Sequence, residues 1–117
     1  LTYTNAGHLA PVLIRNGQAL RLESNGMVVG MFPEYPFEEA VVDLQPGDLI
    51  AAFTDGITES ENGQEEQFGE DRLIDLLRNN STRTLDEILQ LVMDTVSRWC
   101  HDRSPRDDIT VLLARRL

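Results

Sequence analysis

Leu49-Ile50-Ala51-Ala52-Phe53-Thr54-Asp55-Gly56 is an apolar run of strand length that ends on an aspartate and a glycine. Far along the chain, Asp107-Asp108-Ile109-Thr110-Val111-Leu112-Leu113-Ala114 sets a pair of acids at the head of another apolar strand. Carboxylates at the tips of buried strands are held rigidly and close together, as a hard divalent cation requires of its ligands. Gly56 lets the backbone turn sharply after the first strand, so that Asp55 projects from the sheet edge. An acidic doublet entering an apolar strand is costly unless a cation or hydrogen-bond donors compensate it. Spacing alone leaves a second reading open, because an Asp before Gly also serves as turn chemistry and an Asp pair also caps a loop.

Outward from Leu49, Gln45-Pro46-Gly47-Asp48 reads as a turn with proline preset at its second position, and Glu39 to Leu44 as the strand before it, a hairpin in all. Tyr3 to Asn5 and Pro11 to Arg15 read as short strands joined by Ala6-Gly7-His8. Asn16-Gly17 is a tight hairpin turn, since both residues tolerate positive φ, and it leads into Gln18 to Leu22. The first third is thus expected to be a β-meander. Between Asn25 and Glu39, glycines, prolines and three aromatics follow no period, which predicts a loop with an apolar anchor.

The period then becomes helical. Leu73, Ile74, Leu76 and Leu77 form one apolar face after Phe68-Gly69-Glu70-Asp71, and the helix stops at Asn79-Asn80. Thr84-Leu85-Asp86-Glu87 is a capping box opening a longer helix whose Leu85, Ile88, Leu89, Val92, Val96 and Trp99 recur at helical spacing. Ile109 to Ala114 follows as a buried final strand. Strands, a helix pair and one more strand predict an α+β fold with helices packed on an antiparallel sheet.

Composition limits the function. The 117 residues are 41% hydrophobic and carry a formal net charge of −10, enough for one globular domain. So acidic a chain gains no counterion release from nucleic acid or an anionic membrane, and a cationic ligand suits it better. No apolar run reaches the roughly 18 to 20 residues of a membrane span, so no direct membrane insertion is expected. A single cysteine, Cys100, reads as a core or near-surface thiol and points to a reducing, cytoplasmic compartment. His8 reads as a hydrogen-bonded structural residue, and Arg15, Arg21 and Arg72 are scattered, without a phosphate contact assigned to them. Oxygen ligands without a cysteine cluster favour Mg²⁺ or Mn²⁺ over zinc.

Five ordered motifs carry a family resemblance: Tyr3-Thr4-Asn5-Ala6-Gly7-His8-Leu9-Ala10-Pro11, Pro46-Gly47-Asp48-Leu49-Ile50, Phe53-Thr54-Asp55-Gly56-Ile57-Thr58-Glu59-Ser60, Phe68-Gly69-Glu70-Asp71-Arg72-Leu73 and Asp107-Asp108-Ile109-Thr110-Val111. Together they resemble the C-terminal half of bacterial SpoIIE/RsbU-like serine phosphatases, members of the PPM or type 2C metal-dependent superfamily. The resemblance implies an antiparallel β-sandwich flanked by helices, of which residues 1–117 are an incomplete, C-terminal portion. It implies two Mn²⁺ or Mg²⁺ ions in the intact domain and hydrolysis of phosphoserine or phosphothreonine by water activated between them. Asp55 and Asp107 match ligands of one ion, Asp108 a supporting acceptor, and Gly56 a residue that shapes the turn. His8 stands where other branches carry an aspartate linked to a third ion, so no third ion of that kind is expected.

The Asp-x-x-Gly motif that supplies the bridging aspartate lies upstream in the family, and neither Asp43 nor Asp48 replaces it. The resemblance further implies a phosphorylated anti-anti-sigma factor as substrate protein and an upstream sensor or receiver domain. Two alternatives stand beside this reading: a degenerate, non-catalytic phosphatase-like binding module, and an acidic metal-binding interaction domain of other ancestry.

Overall fold

A computed structural model describes residues 1–23, 34, 38–101 and 108–117. Its elements in chain order are β1 (Thr2–Tyr3), β2 (Val12–Arg15), β3 (Gln18–Arg21), β4 (Ala40–Val41), β5 (Leu49–Phe53), α1 (Asp55–Thr58), α2 (Glu70–Asn79), α3 (Leu85–Trp99) and β6 (Val111–Arg115). The main sheet is antiparallel with the order β3-β2-β5-β6, and β1 pairs with β4 in a separate two-stranded ribbon.

Period-two alternation sorts the sheet into two faces. Val12 and Ile14 of β2, Leu49, Ala51 and Phe53 of β5, and Val111 and Leu113 of β6 share the face that packs on the helices. Leu73 and Leu77 of α2 and Ile88, Val92 and Val96 of α3 complete that core, together with Ile57, Phe68 and Cys100. Each such side chain taken from water contributes on the order of 1.5–3 kcal/mol, and this layer holds the domain together. The Thr84–Glu87 capping box forms as predicted, with the Glu87 N–H donating to Thr84 Oγ1 and the Thr84 N–H to the Glu87 carboxylate. The opposite face carries Leu13, Ile50, Ala52, Leu112 and Ala114, and Leu112 is 59% exposed.

An ion pair with a buried carboxylate closes one end of the sheet. Asp48, 2% exposed, receives Nε and Nη2 of Arg15 at 2.9 and 2.6 Å and the Gln45 N–H at 2.8 Å. Its own carbonyl accepts from the Arg116 N–H, and the Gly47 N–H donates to the Arg116 carbonyl. One residue thus ties β2, the turn before β5 and the end of β6 together. At the other end, Gly56 packs against the residue ahead of β6. A Cβ there would lie 2.9 Å from the Asp108 carbonyl carbon and closer still to its oxygen.

Four expectations need correction. The strand before Pro46 does not form a hairpin with β5: β4 pairs with β1, and β5 lies between β2 and β6. The first third is therefore not a continuous meander, although the Asn16-Gly17 hairpin between β2 and β3 forms, with φ of 50° and 74°. The last strand is half-buried rather than buried, its residues alternating between the faces. Asp55 opens a four-residue helix, with Thr54 as its extended N-cap, instead of ending the strand. Gly56 is accordingly helical, and its role is to admit the Asp108 backbone rather than to turn the chain sharply at the end of the strand. The expected loop of residues 25–39 lies outside the described residues but for positions 34, 38 and 39.

Two predictions follow from these ends. The Arg15 hydrogen bonds, with the Gln45 N–H, hold the Asp48 carboxyl below the usual carboxylate range against the opposing effect of burial. A depressed folded-state pKa stabilises the fold above the unfolded value of about 3.9 and loses that contribution as pH falls through the folded value. Thermal unfolding between pH 7 and pH 2 is expected to show a falling acid limb that is shallower in Asp48→Asn, with the variant less stable than the parent at pH 7. Gly56→Ala is expected to cost about 3 kcal/mol in chemical denaturation, because backbone rather than a flexible side chain must yield; a loss below about 1 kcal/mol would show that the approach is not tight.

Candidate metal centre

The end of β5 is joined to the start of β6 through Thr54. Its N–H donates to the Thr110 carbonyl at 3.1 Å, its hydroxyl accepts the Thr110 N–H at 3.0 Å, and the same hydroxyl lies 3.4 Å from the Asp108 carbonyl. These bonds, with the contact between Gly56 and Asp108, place Asp55 directly beside the segment that feeds the last strand. Sequence reading passed over Thr54. Its signal was a β-branched hydroxyl residue between a strand and an aspartate, suited both to an extended N-cap and to a cross-strand bond.

Asp55 is exposed, and among the described residues no donor pairs with its carboxylate. It sits in the first turn of α1, whose N-terminal N–H groups favour negative charge. Asp108 is exposed as well, and its backbone rather than its side chain makes the contact with Gly56. Asp107 lies outside the described residues. Glu59, the C-cap of α1, is exposed, and Ser60 is buried with its hydroxyl donating to the Gly56 carbonyl at 2.6 Å. Ser60 thereby fixes the turn that carries Asp55.

The donors at this end are hard carboxylate oxygens, which suit Mn²⁺ or Mg²⁺. Among the described residues, however, no group of three or more His, Cys, Asp or Glu is close enough to hold an ion. The described residues therefore fit part of a metal site: one free carboxylate on a braced strand end.

The other polar candidates are in structural use. The His8 N–H donates to Asn5 Oδ1 at 2.9 Å and its Nδ1 lies 2.8 Å from the Leu9 carbonyl, while buried Asn5 donates to the Leu22 carbonyl. Arg15, Arg21 and Arg72 form ion pairs with Asp48, Glu70 and Glu66. Arg72 also lies 4.3 Å over the Trp99 ring, whose Nε1 donates to the Ser60 and Glu66 carbonyls. Cys100 is buried in the core beside this cluster. The segment after α1 is thus locked under α3, and Asp55 is braced from behind.

Residues 1–117, the whole chain, match the sequence profile of the family described as Stage II sporulation protein E (SpoIIE). The chain is 35% identical over 119 residues to Protein IcfG of Synechocystis sp., covering 99% of this chain and 18% of that protein. It is 29% identical to the phosphoserine phosphatase RsbU of Bacillus subtilis, covering 98% of this chain and 34% of RsbU. It therefore spans about a third or less of the curated relatives it matches. Its structure superposes on the SiaA-PP2C domain of Pseudomonas aeruginosa with a TM-score of 0.82 at 26% identity, covering 98% of this chain and 46% of that one. With three helices on antiparallel sheets matching a PP2C domain, and a family profile met along its whole length, this chain belongs to the SpoIIE family and covers part of a SpoIIE/RsbU-like phosphatase domain of the PPM type.

Proposed function

We propose that this chain is the C-terminal part of a metal-dependent protein serine/threonine phosphatase that removes phosphate from phosphoserine on a regulatory protein of the anti-anti-sigma factor type. The observation that carries the reading is the exposed carboxylate of Asp55, unpaired among the described residues and braced beside the segment leading into β6 in a chain of phosphatase family. In this reading Asp55 and Asp107 hold one Mn²⁺ or Mg²⁺, Asp108 supports them, and the part of the domain outside this chain supplies the remaining ligands, including those of a second ion.

Bound ions of this kind supply an activated water and neutralise charge on the phosphoryl oxygens. The chain's own residues perform the positioning. Thr54 and Gly56 fix the distance between the two acidic segments, Ser60 holds the α1 turn, and the packed α3 face keeps β5 and β6 from shifting. No protein nucleophile is needed, in keeping with Cys100 being buried. The same proposal sets the protein in the cytoplasm, with a sensor or receiver domain elsewhere in the full-length protein. The single, buried cysteine suits that compartment.

In the intact protein, Asp55→Ala is expected to lower Mn²⁺-dependent phosphate release from a phosphoserine protein at least about 100-fold, since even the residues that orient metal ligands are worth 10–100-fold, while circular dichroism stays unchanged. Activity close to the parent's would remove Asp55 from the ligand set. An intact protein that is itself inactive yet binds the phosphorylated partner would instead support a degenerate, non-catalytic module. The 117-residue chain alone is expected to bind Mn²⁺ weakly by calorimetry and to show no phosphatase activity. Metal-dependent turnover by the isolated chain would overturn the assignment of missing ligands.

A further inference from the structure

The end of β5 remote from Asp55 opens into a second concave site. A cavity of about 600 Å³ lies between the Asn16-Gly17 hairpin, the turn before β5, the loop after α2 and the end of β6. Three arginines and one aspartate line it, a formal excess of two positive charges in a chain whose net charge is −10. Seven residues of extended chain separate Asp48 from Asp55, so the two sites are roughly 20 Å apart.

The three guanidinium groups are not equivalent. Arg15 is spent, since its Nε and Nη2 serve Asp48 and Nη2 also reaches the Asp43 carbonyl. Arg78 donates through Nε to the Gly17 carbonyl at 2.8 Å and makes only an exposed, 3.5 Å pair with Asp75. Arg115, the last residue of β6, donates through Nη2 to the Ser81 carbonyl and has no carboxylate partner among the described residues. Carbonyl tethers orient a guanidinium without neutralising it, so Arg78 and Arg115 line the cavity with most of their donors unused among the described residues. Thr82 adds a hydroxyl with no bond among the described residues. The Asp48 carboxylate is used by Arg15 and Gln45, and the Gly17 and Ser81 carbonyls by the arginines.

A preorganised hollow with unspent donors and a local positive excess is built for a planar or tetrahedral oxyanion. We propose that this cavity binds a small phosphorylated molecule through Arg78, Arg115 and the Thr82 hydroxyl, as a site separate from the metal end. Its volume exceeds what one tetrahedral oxyanion fills, leaving room for the group that carries the phosphate.

The test is an amide NMR titration of the 117-residue chain at constant ionic strength, in metal-free buffer with chelator so that no ion at the Asp55 end can hold phosphate. The probes are inorganic phosphate and glycerol 3-phosphate. Saturable shifts at Gly17, Gly47, Ser81 and Thr82 are expected, with glycerol 3-phosphate binding more tightly. Equal affinity for the two probes would overturn the phosphorylated molecule in favour of free phosphate. Arg115→Gln should weaken binding at least tenfold. Thr82→Asp, which places a carboxylate at the cavity without removing a recorded hydrogen bond, should do the same and serves if Arg115→Gln fails to fold. Linear, unsaturated shifts, shifts centred on residues 55–60, or unchanged affinity in Thr82→Asp would overturn the proposal.

Discussion

β5 has a neighbour on each side and a core beneath it, and the main sheet and both of its ends take their position from that strand. Its register with β2 and β6 sends Leu49, Ala51 and Phe53 toward α2 and α3, and a slip of one residue would send Ile50 and Ala52 there instead. That register also decides what stands at the strand's two ends. Asp48 is drawn inside at one and neutralised by Arg15; Asp55 is left outside at the other, with no partner for its carboxylate among the described residues. Two aspartates seven residues apart thus have opposite fates for one reason, the side of the sheet plane and the depth at which the strand delivers them.

The end that carries Asp55 is built from backbone. Thr54 exchanges bonds with Thr110, and Gly56 accepts the Asp108 carbonyl where any side chain would collide. Main-chain contacts cannot change rotamer, so they fix acidic positions more rigidly than side-chain packing does. Behind them, Trp99, Arg72, Phe68 and Glu66 form one knot, with the Phe68 and Trp99 rings edge to face at 5.8 Å. The surroundings of Asp55 thus hold its backbone still.

Local devices were legible in the sequence. The Thr84–Glu87 box and the Asn16-Gly17 turn are complete within four residues, so nothing distant could override them. Helical periodicity identified the α2 and α3 faces for the same reason, and the order of motifs identified the family. Long-range pairings were hidden. Arg15 finds Asp48 across 33 residues, and β4 finds β1 rather than its chain neighbour. The alternation of β6 was masked because Leu112 and Leu113 are both apolar although they face opposite sides. Asp55 was read as a strand end because a four-residue helix is too short to show a period. At the candidate site Asp55 and Asp108 come out beside the same strand junction, while Thr54 escaped notice because its value lies in a partner 56 residues away.

The pairing of β5 with β6 also sets the order in which the domain can assemble. The β2–β3 hairpin closes across two residues, but Leu49 meets Arg115 only across a stretch that holds three helices. Closing so long a loop is slow compared with forming helices. Until it closes, the central strand presents an open row of amides and carbonyls, and Asp55 has no Thr110 beside it to be aligned with. The Asp55 end is therefore among the last parts of the domain to be set in place, even though Asp55 lies near the middle of the chain.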